Sequence, residues 1–227
     1  MLWLITDVPF PLFNSILRAH LSNPNSEIEA AVARGRQRNV PLMWWIGPST
    51  EPANLGEALT AFGFVHEEVA GMAVDLHTLP QNTAAPAGLE IKLVEDTKTL
   101  EKYCRALCIG YEFPDFVGEA YFDLAKSIGL DSQPVFRNYV GLLNGEPVAT
   151  SSMFLGAGVG GIYNVATIPE ARRRGIGANM TLMPLLKARR LGYKAGILQA
   201  SSMGLNIYRK LGFREYCKVM SYVWLNQ

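Results

Sequence analysis

The sequence predicts an α/β fold in which a mixed, largely antiparallel sheet is flanked by helices. Two apolar, strand-like runs at residues 135–143 and 148–155 are joined by Asn144-Gly145, which is a strong hairpin signal. A third run at 162–167 leads through an arginine- and glycine-containing loop into a helical pattern. Antiparallel neighbours followed by a strand–helix–strand crossover favour a mixed sheet.

The remaining elements follow in chain order. Residues 89–94 alternate like a strand, and two helices follow at 100–108 and 121–128, where apolar residues recur at helical spacing. After the third strand run, we predict a helix at 177–191 that Pro184 kinks or locally breaks. A strand at 195–200 precedes a helix capped by Ser201 or Ser202 and ended at Gly212, and the final strand covers 219–225.

A weakly patterned segment at 81–87, rich in alanine, predicts a linker between regions 1–80 and 88–227. Helix-spaced residues lead into Phe62-Gly63-Phe64 and then a strand, as they do at Leu211-Gly212-Phe213. We therefore interpret the first region as a partial, degenerate copy of the second. It has no arginine and glycine loop, so we expect no ligand site and no catalysis there.

Composition excludes several classes of function. The formal net charge of +1 argues against a general nucleic-acid surface. The apolar N-terminus has no basic segment, and no apolar run is long enough to span a membrane, which predicts a cytoplasmic protein without membrane contact. Three cysteines and three scattered histidines predict buried thiols and no metal site.

The loop after the third strand run predicts an anion pocket. Gly175 and Gly177 let a ligand approach the backbone, and the free N–H groups of a helix start attract anions. A solvated basic loop is the alternative on charge alone, but the glycine spacing favours the pocket. The glycines at 156–161 match a dinucleotide fingerprint, yet they lead into a strand, so a turn between antiparallel strands is favoured over a nicotinamide site.

The residues Arg172-Arg173-Arg174-Gly175-Ile176-Gly177-Ala178 resemble the R/Q-x-x-G-x-G/A loop of the GCN5-related N-acetyltransferases (GNAT), and residues 201–213 are similar to the family's following helix. The resemblance implies that acetyl-CoA binds in a V-shaped opening between strands 162–167 and 195–200. Ser201 stands where the family most often has asparagine. The implied coenzyme-binding residues are Val165, Ala166, Thr167, Arg172, Arg173, Arg174, Gly175, Ile176, Gly177, Ala178 and Ser201.

The same resemblance implies that Tyr208 protonates the departing thiolate, although its helical spacing alone indicates a core residue. Glu112 is a candidate base, with a solvated helix start as the alternative. We therefore expect direct transfer of acetyl from acetyl-CoA to the primary amine of a small molecule or amino-acid-like acceptor. A non-catalytic acyl-CoA-binding module is the alternative function. The acceptor stays open, and a homodimer is compatible with the sequence.

Overall fold

The computed structural model describes residues 1–130 and 135–226, which form two compact units. The first unit combines Met1–Ala70 with Cys217–Gln227, and the second comprises Gly71–Tyr216. This division differs from the expected one at 81–87. The end of the last strand belongs with the N-terminal residues, and the expected linker lies inside the second unit.

The second unit is built on a sheet with the strand order β9-β8-β7-β6-β5. The pairs β5–β6, β6–β7 and β7–β8 are antiparallel, whereas β8–β9 is parallel, so the sheet is mixed as predicted. Helices α3 and α5 pack on strands β6 to β8. The strands are β5 (Leu89–Leu93), β6 (Phe136–Leu143), β7 (Glu146–Gly156), β8 (Val159–Thr167) and β9 (Ala195–Ala200). The helices are α3 (Thr97–Tyr111), α4 (Asp115–Ile128), α5 (Ile176–Arg190) and α6 (Leu205–Lys210).

Both predicted turns between antiparallel strands are confirmed. Asn144 and Gly145 join β6 to β7 with φ angles of 53° and 88°, as a two-residue hairpin turn requires. Ala157 and Gly158 join β7 to β8 with φ angles of 49° and 79°. The turn is therefore shorter than the glycine cluster at 156–161, whose last residues already lie in β8.

Helix α5 continues through Pro184, so the predicted break does not occur. The segment at 81–87, expected as a linker, lies along this helix because polar side chains of α5 form hydrogen bonds with it. The Arg189 guanidinium donates to Gln81 Oε1 at 3.0 Å, and the Asn179 amide donates to the carbonyl of Ala84 at 2.9 Å. Asn179 lies near the start of α5 and Arg189 near its end, so the segment is held along the length of the helix.

Helix α6 begins later than the sequence indicates. Its N-cap is Gly204, and neither Ser201 nor Ser202 caps it. A turn intervenes, in which the Gly204 N–H donates to the carbonyl of Ser201 at 3.0 Å. The predicted end at Leu211-Gly212 is confirmed, since Gly212 has a φ of 96°.

The first unit has a sheet with the order β1-β2-β3-β10. Strands β1 and β2 are antiparallel, β2 and β3 are parallel, and β10 is antiparallel to β3. Trp44 of β3 is fully buried in the core and contacts Phe64 edge to face, so it packs the core of this unit. The elements are β1 (Leu2–Ile5), β2 (Asn14–Arg18), α1 (Pro24–Arg38), β3 (Leu42–Ile46), α2 (Leu55–Ala61), β4 (Val65–Asp75) and β10 (Arg214–Trp224).

The described residues include no cluster of three or more histidine, cysteine or acidic side chains that could hold a metal ion. Cys104 and Cys108 are free, buried thiols on α3, as their helical spacing predicts. Among the helices at 1–130 and 135–226, none combines the length and the apolar character needed to cross a bilayer.

Candidate functional site

The first feature of the site is an open strand edge. Strands β8 and β9 pair only from Val159↔Ala195 to Ile162↔Leu198. Strand β8 then continues to Thr167 while still paired with β7, and the described part of β9 supplies no partner for its last five residues. A bulge at Asn164, where φ is 52°, accompanies this separation. Residues 163–167 thus lack a strand partner on one side, although the carbonyls of Asn164, Val165 and Thr167 accept hydrogen bonds from side chains.

The second feature is a run of unpaired backbone amides at the start of α5. Within the described chain, no atom accepts a hydrogen bond from the N–H groups of residues 173–178, and pairing resumes with Asn179 N–H to Gly175 O at 3.2 Å. A helix start leaves four N–H groups free, and the preceding loop adds two more. Arg173 and Gly175 are left-handed, with φ of 61° and 80°. Alternating handedness of this kind turns successive N–H groups into an anion-binding concavity.

The two glycines of this loop are present for different reasons. At Gly175 a Cβ atom would lie 2.5 Å from the carbonyl oxygen of Ala84, and the positive φ also disfavours any side chain. At Gly177 the nearest atoms to an added Cβ are Thr167 Oγ1 and Ile207 Cδ1, both at 3.8 Å. The fold therefore requires glycine at 175, whereas at 177 an added Cβ atom would make only ordinary van der Waals contacts with Thr167 and Ile207.

The first arginine has a role within the protein itself. Arg172 Nε donates to the carbonyl of Thr167, and its Nη2 donates to the carbonyl of Gly110, both at 3.0 Å. It thereby ties the end of α3 to the end of β8. The other two, Arg173 and Arg174, are exposed beside the unpaired amides.

Tyr208 lies at the other side of the amide run. Its side chain is 8% exposed and lies near Thr181, whose hydroxyl donates to the Gly177 carbonyl at 2.9 Å. Burial raises the pKa of Tyr208 to about 12, and the nearby Thr181 hydroxyl lowers it only slightly, so the phenol stays protonated at neutral pH. Gly204 makes room for the ring, because a Cβ there would lie 2.7 Å from Tyr208 Cε2.

Tyr111 is a site residue that the sequence did not identify. It is the last residue of α3, and its hydroxyl donates to the carbonyl of Val165 at 3.3 Å, on the open edge of β8. Partial burial of Tyr111, which is 42% exposed, and the neighbouring Tyr208 phenol both raise its pKa. Its ring stacks on Phe113 with 5.0 Å between centroids. Its spacing from Leu107 and Cys108 resembles that of a core residue, so the sequence carries no separate signal for it.

Solved structures with the same fold are known. A GCN5-related N-acetyltransferase from Kribbella flavida matches with a TM-score of 0.75 and 19% identity, over 99% of this chain and 86% of that one. The chain has the GNAT fold. A functionally unknown conserved protein from Staphylococcus epidermidis matches with a TM-score of 0.70 and 16% identity, over 96% of this chain and 87% of that one.

A tandem GNAT protein from the clavulanic acid biosynthesis pathway also matches, with a TM-score of 0.58 and 14% identity over 88% of this chain and 68% of that one. Neither a family model nor a curated protein sequence matches the chain. The similarity to GNAT structures is therefore a similarity of fold at low sequence identity.

Two predicted site residues lie in less constrained positions of this GNAT fold. Glu112 is exposed and left-handed, with φ 58°, and it ends α3 by donating its N–H to the carbonyl of Ile109. Ser201 is exposed at the end of β9, and its Oγ accepts a long hydrogen bond of 3.4 Å from the Gly204 N–H. In the described chain no contact joins the Glu112 carboxylate to Tyr208 or to β8.

The first unit has the same order of elements as this site, because β2, α1, β3, α2 and β4 correspond in type to β8, α5, β9, α6 and β10. Its parallel strands, however, do not stay apart. Beyond the pair Ile16↔Trp44, the Leu21 N–H donates to the Glu51 carbonyl and the Glu51 N–H donates to the Ala19 carbonyl, both at 3.0 Å. These hydrogen bonds occupy the backbone groups that β8 leaves free.

Proposed function

We propose that the protein is an acetyl-CoA-dependent N-acetyltransferase that transfers acetyl directly to the primary amine of a small molecule or amino-acid-like acceptor. The observation that carries this proposal is the run of unpaired amides at 173–178 beside the open edge of β8. A diphosphate fits the amides, and an amide-containing arm fits a strand edge that lacks a partner. Coenzyme A contains both groups in one molecule.

The residues present are compatible with that ligand. The absence of a side chain at Gly177 allows phosphate oxygens to approach the amides, and the exposed Arg173 and Arg174 add positive charge. The backbone of Val165, Ala166 and Thr167 would pair with the pantetheine arm. Ser201, at the end of β9, would contact the same arm. Acetyl-CoA supplies an electrophilic thioester and a thiolate leaving group.

In the proposed reaction, the acceptor nitrogen forms a bond to the thioester carbonyl carbon. The carbon–sulfur bond then breaks, its electron pair goes to sulfur, and Tyr208 donates the proton that sulfur takes up. A phenol of pKa about 12 is a weak acid in water, but the same burial raises the pKa of a thiolate formed beside it. The proton transfer is therefore less unfavourable than solution pKa values indicate.

Direct transfer is favoured over an acyl-enzyme by the state of the two cysteines of the second unit. Burial raises the pKa of Cys104 to about 12 and also raises that of Cys108, so neither thiol ionises at neutral pH. A thiol that does not ionise is a poor nucleophile. The acceptor nitrogen must instead lose a proton, and we propose that Glu112, next to Tyr111 in the chain, takes it directly or through water.

We also propose that the first unit is a partial copy of the second that has no coenzyme site. The shared element order and the match to a tandem GNAT protein support duplication. The hydrogen bonds that join Ala19 and Leu21 to Glu51 support the loss of the strand opening. Leu59, fully buried on α2, lies where Tyr208 lies on α6, so this copy also lacks a phenol.

The test is release of free thiol from acetyl-CoA in the presence of a panel of primary amines, with acetylation of the amine followed by mass spectrometry. We expect at least one amine to give equal amounts of thiol and acetylated product. Reactions without amine are the control for hydrolysis. Tight CoA binding together with no amine-dependent thiol release would instead support a non-catalytic acyl-CoA-binding module.

A further inference from the structure

A cavity of about 700 Å³ lies in the second unit, away from the amide run. It is bounded by the end of β5, one face of α4 and the start of β6. Most of its walls are apolar. The apolar lining residues on which the argument depends are Leu93, Leu124, Ala125, Ile128 and Phe136.

One end of this cavity is polar because Asn138 and Tyr121 line it. Asn138 is only 7% exposed, and its Oδ1 accepts hydrogen bonds from Tyr121 at 3.0 Å and from Ser152 at 2.6 Å. Its amide nitrogen donates to no atom of the described residues. Because Asn138 lines the cavity, this nitrogen can donate to a ligand oxygen there.

The cavity is not a continuation of the open strand edge. From Asn138 the hydrogen bonds run to Ser152, which accepts from Asn164 at 3.1 Å. Ser152 and Tyr103 are fully buried at this point, and Tyr103 both contacts Ser152 at 2.7 Å and stacks on Tyr121. These packed side chains lie between the cavity and the bulge of β8.

The charges around the cavity restrict the ligand. Arg137 lines it but already interacts with another group of the protein, while Glu95 adds a carboxylate to the wall. The donor at the inner end is a neutral amide. An anionic ligand would therefore be repelled by the Glu95 carboxylate, while Arg137 is already engaged by the protein.

We propose that this cavity is a second small-molecule site, which binds an uncharged, largely apolar molecule whose carbonyl oxygen accepts the free hydrogen bond of Asn138. The site is separate from the proposed coenzyme site, because its lining shares no residue with the amide run or with the edge of β8. Hydrogen bonds through Ser152 and Asn164 connect it to that edge.

Three naphthalenes of similar size test the proposal by isothermal titration calorimetry on the full chain without coenzyme. We expect 2-acetylnaphthalene to bind about fivefold more tightly than 2-ethylnaphthalene, which is the effect of one net hydrogen bond. We expect 2-naphthoate to bind more weakly than either. Equal affinities for the ketone and the hydrocarbon, or no binding of the ketone at its solubility limit, would overturn the proposal.

Variants locate the binding site. Leu124→Trp and Ile128→Trp fill the cavity from partly exposed positions, and each should weaken ketone binding at least tenfold. Asp123→Trp is the matched control, because Asp123 is exposed on the same helix and does not line the cavity. Thermal melting establishes that each variant is folded. Unchanged affinity in both folded cavity variants would place the ketone elsewhere and refute the assignment.

Discussion

Replacing the two loop glycines by alanine should separate the needs of the fold from the needs of the ligand. In Gly177→Ala the new methyl group has no protein atom closer than 3.8 Å, and the residue lies in the first turn of α5. We expect this variant to gain about 0.5–1 kcal/mol of stability, because glycine is a poor helix residue. The methyl group would nevertheless occupy the space beside the unpaired amides.

The expected loss of affinity follows from the contacts that the methyl group blocks. One charge-assisted hydrogen bond is worth about 1.5–3 kcal/mol. Loss of one such bond from the diphosphate should weaken CoA binding by about 10- to 150-fold. Stability and affinity should therefore change in opposite directions in Gly177→Ala.

Gly175→Ala is the matched comparison. A left-handed alanine and a Cβ atom 2.5 Å from the Ala84 carbonyl should together cost about 2–4 kcal/mol. For a protein of this size, that corresponds to a fall in Tm of about 5–15 °C. Differential scanning calorimetry and titration with CoA measure both quantities. If Gly177→Ala binds CoA as tightly as the wild type, the assignment of the amide run as the diphosphate site is wrong.

Three further substitutions test individual side chains. Tyr208→Phe should lower kcat about 100-fold with little change in CoA affinity, and an unchanged kcat would contradict its role as the acid. Because the neutral phenol is the acid, ionisation of Tyr208 should not lower wild-type activity until the pH approaches about 12. Tyr111→Phe, which loses the hydrogen bond to Val165, should raise the KM for acetyl-CoA and leave the melting temperature nearly unchanged. A large drop in melting temperature would indicate a structural role instead. Arg172→Ala should cost about 2–3 kcal/mol in unfolding free energy, whereas the exposed Arg173→Ala should change it by less than about 0.5 kcal/mol; equal effects would contradict the assigned contacts.

The parts of the fold that depend on local sequence could be predicted from the sequence. Asn144-Gly145 adopts the positive φ angles that a two-residue hairpin turn needs, and Gly212 ends its helix in the left-handed region. The glycine loop and the start of α5 were equally visible, because a strand pattern changes there to a helical one. These signals act over a few residues.

Other features depend on contacts between distant residues. Gly175 is required because Ala84, in a segment that resembled a linker, lies against it. A Cβ atom added at Gly110 would lie 2.8 Å from the Ala166 side chain, so the end of α3 packs directly on β8. This close approach brings the next residue, Tyr111, to the site. Local spacing cannot show such approaches. The grouping of the chain's last residues with its first 70 likewise follows from the pairing of β10 with β3.

The measurement that tests the central claim most directly is a titration of ¹⁵N-labelled protein with CoA, followed by NMR of the backbone amides. CoA should shift the resonances of residues 173–178, with Gly175 and Gly177 among the most affected, because their N–H groups have no other acceptor in the described chain. Pantetheine, which has no diphosphate, should leave them largely unchanged while it shifts Val165 and Thr167. If CoA binds without shifting the amides of residues 173–178, the proposed diphosphate site is contradicted.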